Sequence, residues 1–368
     1  MPKIRVLQIV GDPVGGIRKH IHDIILGLVD EFDFYYVSSN KGDKVYDNQL
    51  PDILKATKLH CNLKIFKKPA VSDISNIYKI YRTIKKNKIQ VVHGHGAKGG
   101  LYARVAGRLA GCKVIYTPHG GAVHSMFSPT FSLIYKCVEV VLSYFTDLFI
   151  FESQYTFQKF KVKFGIGRSS FIVNYNGVRA PKIPATFNYS TKNEKIKFGI
   201  FGMFRFEKGQ DIAAQAISEL IDMGKPIELH FYGDGDLKEK LEKKYLIKKY
   251  GLSIKFHGEV DNVNDHMMNM DFILIPSRFE SFGYIAVEAA LMKLPIISSD
   301  AGALTEVLNI NNTFFFESGN IDDLKRVISV ALDAELEVIQ EFVKKNYLYS
   351  QRFSIENMLN NLKSKYEA

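Results

Sequence analysis

The chain has 368 residues, of which 46% are hydrophobic and 24% charged, and its formal net charge is +10. This composition is ordinary for a soluble globular protein, and the length predicts two domains rather than one core. Cys61, Cys112 and Cys137 form no CxxC pair and no metal-ligand spacing, which favours core thiols in a reducing compartment. The opening residues MPKIRVLQIV contain one short apolar run and no small-residue cleavage site, so we expect no secretory signal.

Positive charge is concentrated in the first half of the chain. Residues 1–184 contain 27 Lys and Arg against 12 Asp and Glu, whereas residues 185–368 contain 22 against 27. This asymmetry indicates that the first half meets an anionic surface, which is a membrane, a nucleic acid or a phosphorylated ligand.

Apolar, strand-like runs alternate with helix-length segments throughout the first half. The predicted strands are KIRVLQIV, DFYYVSS, NLKIF, QVVHGH, KVIYTPHG, DLFIFES and SSFIVNYNGV. The apolar stretch 131–151 includes Lys136, Glu139 and Asp147, which are costly at a bilayer centre. It therefore predicts a helix followed by the buried strand DLFIF rather than a membrane span. Residues 180–195, rich in Pro, Ser, Thr and Asn, are typical of a linker.

The alternation begins again after this linker. The predicted strands are IKFGIFGMF, IELHFYG, SIKFHGEV, DFILIPS and LPIISSD. Short, continuously apolar strands separated by helices predict buried parallel sheets. The predicted fold class is therefore α/β, with two doubly wound, Rossmann-like parallel-sheet domains facing a cleft.

Parallel sheets bind ligands beyond the carboxyl ends of their strands, so the loops that follow strands hold the candidate residues. The first such loop, GDPVGGIRKH, lacks the GxGxxG pattern of dinucleotide-binding proteins. Its Gly15 and Gly16 still allow backbone to approach a phosphate at a helix N-terminus. In the second half, GMFRFEKGQ contains Arg205 and Lys208, whose charges suit a pyrophosphate and its developing negative charge as a leaving group.

The stretch ESFGYIAVEAA, residues 280–290, contains two glutamates eight residues apart. We expect Glu280 at the end of a strand, and Ser281, Phe282 and Gly283 at the start of a helix whose free N–H groups hold phosphate. Glu288, inside that helix, suits the two hydroxyls of a ribose. The pair is therefore predicted to bracket a nucleotide diphosphate, with Glu280 at the sugar end.

These motifs together resemble glycosyltransferase family 4, whose members have the two-domain GT-B fold. In chain order they are the early GG, PHG at 118–120, NGV at 176–178, EKG at 207–209, YGDG at 232–235, the E-x7-E from Glu280 to Glu288, and DAGALTEV at 300–307. The last segment, FSIENMLNNLKSKYEA, is similar to the family's C-terminal helix, which crosses back to the first domain.

The resemblance implies a retaining hexosyltransferase that uses a UDP- or GDP-sugar, needs no metal or other cofactor, and has a saccharide or lipid-linked saccharide as acceptor. Its catalytic candidates are Glu280, at the donor-sugar hydroxyls, and His119, near the transferred sugar. Its donor-binding candidates are Gly15, Gly16, Arg205, Lys208, Ser281, Phe282, Gly283 and Glu288. Met203 departs from the arginine common in the family, and we expect Arg205 to supply that charge. The DGD at 234–236 is predicted to be a structural turn rather than a metal site.

The implied organisation has four parts. An acceptor-side domain spans 1–180, a linker 181–195, a nucleotide-sugar-binding domain 196–350, and the C-terminal helix 351–368. We expect a cytoplasmic enzyme of surface-polysaccharide or lipopolysaccharide biosynthesis, peripheral at the inner face of the membrane.

Residues 73–88, DISNIYKIYRTIKKNK, are predicted to form a helix that contacts an anionic membrane. Ile74, Ile77, Tyr78, Tyr81 and Ile84 share an apolar face, and the basic side chains of Lys79, Arg82 and Lys86 gather on a neighbouring face. The alternative is an ordinary surface helix whose apolar face packs on the sheet.

Three other functions compete with this interpretation. A nucleotide-sugar 2-epimerase has the same fold and forms no acceptor-dependent product. A two-lobed solute-binding protein needs export, for which the first residues offer no signal. A basic nucleic-acid-binding protein needs a zinc motif, a reader fold or an aromatic–basic run, and the sequence has none of these.

Overall fold

The structure is a computed structural model that describes residues 2–39, 42–66, 68–120, 129–167, 169–181, 195–246 and 250–368. The chain divides into two compact units, one formed by Met1–Gly177 with Ile355–Ala368 and the other by Val178–Ser354. Residues 182–194 of the predicted linker lie outside the described residues. Within the described ranges, no helix has the length and apolar character needed to cross a membrane.

The first unit contains a seven-stranded, wholly parallel sheet with the strand order β3-β2-β1-β4-β5-β6-β7. Its strands are β1 (Ile4–Val10), β2 (Phe32–Ser39), β3 (Thr57–Leu63), β4 (Val91–His95), β5 (Lys113–Thr117), β6 (Leu148–Phe151) and β7 (Ser170–Val173). Its described helices are α1 (Gly15–Gly27), α2 (Lys44–Ala56), α3 (Ser72–Asn87), α4 (Gly96–Ala110), α5 (Pro129–Ser143), α6 (Gln154–Phe164) and the C-terminal α14 (Ile355–Glu367).

Helix α14 belongs to the first unit, as the resemblance predicts. Ile355, Met358, Leu362 and Tyr366 of this helix are buried in the same hydrophobic core as Phe34 of β2. Burial of these α14 side chains therefore stabilises the sheet of the first unit, to which β1 and β2 belong.

The second unit contains a six-stranded parallel sheet with the order β10-β9-β8-β11-β12-β13. Its strands are β8 (Ile196–Phe201), β9 (Ile227–Tyr232), β10 (Ile254–Phe256), β11 (Phe272–Ile275), β12 (Ile296–Ser299) and β13 (Phe314–Phe316). Its described helices are α7 (Gln210–Asp222), α8 (Lys238–Tyr245), α9 (Val263–Met267), α10 (Tyr284–Leu291), α11 (Leu304–Val307), α12 (Ile321–Leu332) and α13 (Leu336–Ser350), with 3-10 turns at Phe206–Lys208 and Gln351–Phe353.

Both sheets confirm the predicted doubly wound topology. In the first unit the strand order reverses direction between β1 and β4, and in the second unit between β8 and β11. Ligands of such sheets bind beyond the carboxyl ends of the strands at this switch point. The loops that follow these four strands therefore define where a site is expected in each unit.

Several local predictions differ from the structure. Strand β3 spans Thr57–Leu63, whereas the sequence placed it at NLKIF, and β13 (Phe314–Phe316) was not predicted. Both are edge strands. The apolar signal of β3 is weak because the strand is largely exposed, and β13 is only three residues long. The prediction of core thiols is wrong for Cys137, which is exposed.

The apolar stretch 131–151 forms most of α5 and the buried strand β6, as predicted. Its Glu139 is buried, and Arg104 of α4 donates two hydrogen bonds to it over 2.7 and 3.0 Å. The Arg104 guanidinium also lies 4.0 Å from the Tyr116 ring centroid. Because each buried charge has a partner, this pair can be desolvated between α4 and α5.

Candidate active site

In the second unit, the loops after β8 and β11 bring together a lysine and a glutamate that the sequence singled out. Lys208 Nζ lies 2.6 Å from Glu280 Oε2, and the two side chains are 34% and 14% exposed. Ser277 Oγ lies 3.5 Å from the same carboxylate oxygen. Strands β8 and β11 are hydrogen-bonded neighbours, so this ion pair sits at the switch point of the sheet.

Two glycines let the surrounding backbone come close enough to hold this pair. Gly209 has φ +66°, and a Cβ there would lie 1.9 Å from the Pro276 carbonyl oxygen. Gly302 has φ +60°, and a Cβ there would lie 2.1 Å from the Glu280 carbonyl oxygen. That carbonyl also accepts a hydrogen bond from the Ala303 N–H over 3.0 Å. The glycines of EKG and DAGA therefore fix the two loops that carry Lys208 and Glu280.

Arg278 joins the same two loops, and the sequence analysis missed it. Its guanidinium donates two 2.8 Å hydrogen bonds to Asp211 and one of 2.9 Å to the Phe206 carbonyl, and it lies 4.3 Å from the Phe206 ring centroid. Burial tends to raise the pKa of Asp211, but hydrogen bonds and charge from Arg278 give a net lowering. Arg278, like Glu280, lies in the loop after a predicted strand. An arginine at this position could have been recognised in the sequence as a residue that joins two loops through its several hydrogen bonds.

The E-x7-E segment forms the start of α10, as expected. Ser281 is partly exposed, and Gly283 has φ +94° and precedes the first helical residue. Phe282 is buried, and its ring packs edge to face on Phe353 with centroids 5.7 Å apart. Glu288 is the fifth residue of the helix and partly exposed. Phe282 therefore has a structural side chain, and only its backbone is suited to the predicted contact with phosphate.

The DGD turn, which follows β9, contacts the loop after β8 that contains Arg205. Arg205 is exposed and immediately precedes the 3-10 turn Phe206–Lys208. Asp234 accepts a hydrogen bond from the Gly235 N–H, and the Phe204 N–H donates to the Asp234 carbonyl over 2.9 Å. The acidic turn thus braces the loop that carries Arg205 through its backbone.

In the first unit, Gly15 and Gly16 begin helix α1, as predicted, but an aspartate already contacts that helix end. Gly15 has φ +55°, and its N–H donates to Asp43 Oδ2 over 3.0 Å. Arg18 Nε lies 3.0 Å from Asp43 Oδ1. Gly16 is exposed. An anionic ligand at this helix N-terminus therefore shares or replaces the Asp43 contact, because the two compete for the same donors.

His119 lies just after β5 in a strained conformation. Its φ of +52° is one of three positive values among described residues other than glycine, and such strain is common at functional sites. Its Nε2 lies 3.0 Å from Nδ1 of His95, at the end of β4. Burial lowers the pKa of His119 well below its usual value, and charge on His20 and His93 lowers it further. The His119 imidazole is therefore neutral at pH 7.

His119 ends a chain of buried hydrogen bonds that the sequence did not reveal. His95 Nε2 lies 2.7 Å from Gln8 Oε1, Gln8 Nε2 donates to the Tyr366 hydroxyl over 2.8 Å, and that hydroxyl lies 2.8 Å from His93 Nδ1. Strands β1 and β4 and helix α14 supply these groups. The C-terminal helix thus fixes the imidazole next to His119.

Two sequence profiles of known families match the chain. The profile described as Glycosyltransferase Family 4 matches residues 14–180, and the profile described as Glycosyl transferases group 1 matches residues 195–334. An uncharacterized 41.2 kDa protein in the cps region of Klebsiella pneumoniae is 30% identical over 276 residues, which are 71% of this chain and 74% of that protein. The chain therefore belongs to glycosyltransferase family 4.

A further relative and a solved structure bear on the class and the fold of the protein. The UDP-Gal:alpha-D-GlcNAc-diphosphoundecaprenol alpha-1,3-galactosyltransferase of Escherichia coli is 26% identical and covers 74% of each chain. The crystal structure of Anabaena Alr3699/HepE in complex with UDP covers both chains completely, with a TM-score of 0.80 and 20% identity. The fold is thus GT-B, and the chain is a glycosyltransferase of the type that builds polysaccharide or lipopolysaccharide. The epimerase alternative is not favoured.

Proposed function

We propose that this glycosyltransferase moves a hexose from a UDP-sugar to a lipid-linked saccharide, with retention of anomeric configuration. The observation that carries the proposal is the ion pair between Lys208 and Glu280 at the switch point of the second unit. Lysine and arginine are suited to a diphosphate leaving group, and a carboxylate is suited to the hydroxyls and positive charge of the reacting sugar.

The proposed roles follow from the charges of the loops. Lys208 and Arg205 offset the negative charge that grows on the departing diphosphate, aided by the backbone N–H groups of Phe282 and Gly283. Glu288 binds the ribose. Glu280 orients the sugar and stabilises an oxocarbenium-like transition state. Because Lys208 already engages its carboxylate, Glu280 is a poor covalent nucleophile, which favours same-face attack guided by a phosphate oxygen.

For His119, in the first unit, the proposed role is a contact with the transferred sugar. As a neutral imidazole it can accept or donate a hydrogen bond to a sugar hydroxyl without adding charge. We further propose that transfer needs no metal ion, because lysine and arginine supply the positive charge that a metal supplies in other glycosyltransferases.

The choice of donor and acceptor rests on relatives. The Escherichia coli relative is named for UDP-Gal and a diphosphoundecaprenol-linked sugar. A phosphatidylinositol N-acetylglucosaminyltransferase subunit of Saccharomyces cerevisiae is 24% identical over 87% of this chain. These names support a UDP-sugar over a GDP-sugar, and a lipid-linked over a free saccharide.

We also propose that helix α3 (Ser72–Asn87), which contains most of the predicted segment 73–88, contacts an anionic membrane. The prediction that Ile74, Tyr78 and Ile84 share one apolar face is wrong. Ile80 and Ile84 are buried, whereas Ile74 and Tyr78 are 74% and 58% exposed. The exposed side also holds the basic residues Lys79, Arg82, Lys85, Lys86 and Lys88. An exposed mixture of apolar and basic side chains suits the headgroup region of an anionic bilayer.

A transfer assay tests the function. The enzyme is incubated in EDTA with a UDP-hexose and a polyprenyl-diphosphate-linked sugar, and the product's anomeric configuration is read by NMR. We expect an acceptor-dependent, α-linked product from an α-linked donor. A donor that isomerises without acceptor would indicate an epimerase, and loss of transfer in EDTA with rescue by Mn²⁺ would exclude the metal-free mechanism.

A thermal-shift screen of UDP, GDP, ADP and their sugars identifies the donor. A ligand at one hundred times its Kd stabilises the folded protein by about 2.7 kcal/mol. We expect the UDP compounds to raise the melting temperature most. A larger rise in melting temperature with GDP would contradict the UDP-sugar proposal and indicate a GDP-sugar as donor.

A further inference from the structure

Three buried or half-buried histidines of the first unit lie close enough to bind one metal ion. One ring nitrogen of each of His20, His95 and His119 lies within 4.8 Å of the other two. They come from three separate elements, α1, the end of β4 and the loop after β5. The ring centroid of His20 lies 5.6 Å from the ring centroid of His95 and 5.0 Å from that of His119.

The hydrogen bonds of His95 direct a lone pair into this cluster. Gln8 Oε1 can only accept, so the neutral His95 carries its proton on Nε2 and keeps a lone pair on Nδ1. That lone pair faces His119 Nε2 at 3.0 Å. A buried oxygen that fixes the far nitrogen of an imidazole is the usual second shell of a metal-binding histidine.

His20, the third histidine, has a buried ring nitrogen that is unsatisfied. It is 2% exposed, and among the described residues its Nδ1 has no hydrogen-bond partner. Desolvation lowers the pKa of His20 to about 4, against a smaller raising effect of Asn176. Burial also holds the pKa of His95 and His119 well below the usual value. All three imidazoles are therefore neutral at pH 7 and bind metal without first losing a proton.

We propose that His20, His95 and His119 form a binding site for Zn²⁺ or a similar transition-metal ion, and that the bound metal inhibits transfer. Zinc–nitrogen bonds of about 2.0–2.1 Å require ligand nitrogens to be only slightly further apart than His95 and His119 are now. When the metal binds, the His119 proton moves from Nε2 to Nδ1 and both facing nitrogens become ligands.

The ligand chemistry selects the metal. Imidazole nitrogen suits Zn²⁺, Co²⁺, Ni²⁺ and Cu²⁺, whereas Mg²⁺ and Ca²⁺ prefer oxygen ligands. Inhibition follows because His119, as a ligand, can no longer contact the transferred sugar. This consequence rests on the proposed function, whereas metal binding itself does not.

Cobalt titration of the EDTA-treated, desalted full chain tests the site. We expect one equivalent of Co²⁺ to produce the visible absorption of tetrahedral coordination, and Zn²⁺ but not Mg²⁺ to abolish it. His20→Gln and His119→Gln should each weaken Co²⁺ binding by more than about 100-fold, since even second-shell substitutions at metal sites cost 10–100-fold. The matched control is His257→Gln, because His257 Nε2 pairs with His230 Nδ1 at 3.0 Å in the second unit.

The outcomes separate the site from the function. Tetrahedral absorption that His257→Gln removes and His20→Gln retains would overturn the site. If a variant does not fold, proton NMR of the cobalt-bound wild type decides, because three paramagnetically shifted imidazoles support the site and fewer contradict it. Zn²⁺ should inhibit transfer reversibly with EDTA, and less in His20→Gln. Binding without inhibition would overturn the inhibitory consequence and leave the transfer reaction unaffected.

Discussion

At the scale of single residues, the Lys208–Glu280 ion pair is the group on which the proposed donor site most depends. We predict that Lys208→Ala and Glu280→Ala each lower kcat by roughly 10²–10³, the effect of losing one preorganised electrostatic group. Binding of UDP should weaken more in Lys208→Ala, because the lysine is the residue proposed to bind the diphosphate. Steady-state kinetics and calorimetric titration with UDP measure both effects.

The control for this prediction is another lysine–carboxylate pair of the same unit. Lys325 of α12 lies 2.5 Å from Glu219 of α7, away from the loops after β8 and β11. Lys325→Ala removes the same charge and should leave kcat within about twofold, since surface ion pairs contribute little. Equal losses in Lys208→Ala and Lys325→Ala, or full activity in Glu280→Ala, would remove the proposed donor site.

Gly209 permits the close approach of two backbones, and its contribution to stability can be isolated. Gly209 and Gly224 both have positive φ, +66° and +84°, but a Cβ at Gly224 meets nothing within 4 Å. Gly224→Ala should cost about 1–2 kcal/mol, the penalty of the left-handed conformation alone. Gly209→Ala adds the clash with Pro276 and should lower the melting temperature at least twice as much. Similar shifts for the two variants, measured by calorimetry, would contradict this account.

At the scale of elements, helix α14 contributes a hydroxyl that the first unit's sheet needs. Tyr366→Phe leaves Gln8 Nε2 and His93 Nδ1 without that partner, and we predict a loss of about 1–3 kcal/mol, as for other unsatisfied buried groups. Tyr116→Phe is the matched control, because the Tyr116 hydroxyl is buried and has no partner among the described residues. It should cost less than about 0.5 kcal/mol. Urea denaturation of both variants measures the difference, and a larger loss in Tyr116→Phe would contradict it.

The exposed face of α3 predicts reversible membrane binding. Each basic side chain near an anionic bilayer contributes about 1 kcal/mol, attenuated over a Debye length of about 8 Å. Co-sedimentation with anionic vesicles should therefore weaken steeply with salt and fall when Lys79, Arg82, Lys85 and Lys86 are changed to Glu. A matched variant changes the exposed Lys240, Lys243, Lys344 and Lys345 of the second unit to Glu.

The two quadruple variants decide between a specific helix and overall charge. Both lower the net charge by the same amount, so equal losses of binding would mean that α3 has no special role. Equal binding to neutral and anionic vesicles, or no binding to either, would contradict the proposed membrane contact and indicate a soluble acceptor.

The sequence predicted those features whose cause is local. The E-x7-E segment and the alternation of strands with helices depend on residues that are close together in the chain, so the sequence alone indicates them. The Arg278–Asp211 pair spans 67 residues, and its partners could not be matched without the fold. The three histidines of the cluster come from α1, β4 and the loop after β5, so their proximity could not be predicted without the fold. In α3 the apolar residues spread around the helix, so periodicity could not decide whether Ile74 or Ile80 faces the sheet.

At the scale of the whole molecule, the distribution of net charge and the proposed donor site predict that an anionic nucleotide binds to different units. The first half of the chain has the large positive excess, whereas the proposed donor loops lie in the second unit, whose half carries more acidic than basic residues. Non-specific attraction therefore predicts protection of the first unit, and the Lys208–Glu280 site predicts protection of the second.

Hydrogen exchange with saturating UDP distinguishes these outcomes. We expect slower exchange after β8 and β11, where Lys208, Glu280 and the start of α10 lie, with a stabilisation of about 2.7 kcal/mol at one hundred times the Kd. This protection should persist in 0.3 M salt, because partly buried charges are screened less than surface charges. Lys208→Ala should abolish it and Lys325→Ala should not. Protection confined to the first unit and lost in salt would mean that nucleotide binds through net charge, and that the donor loops are misassigned.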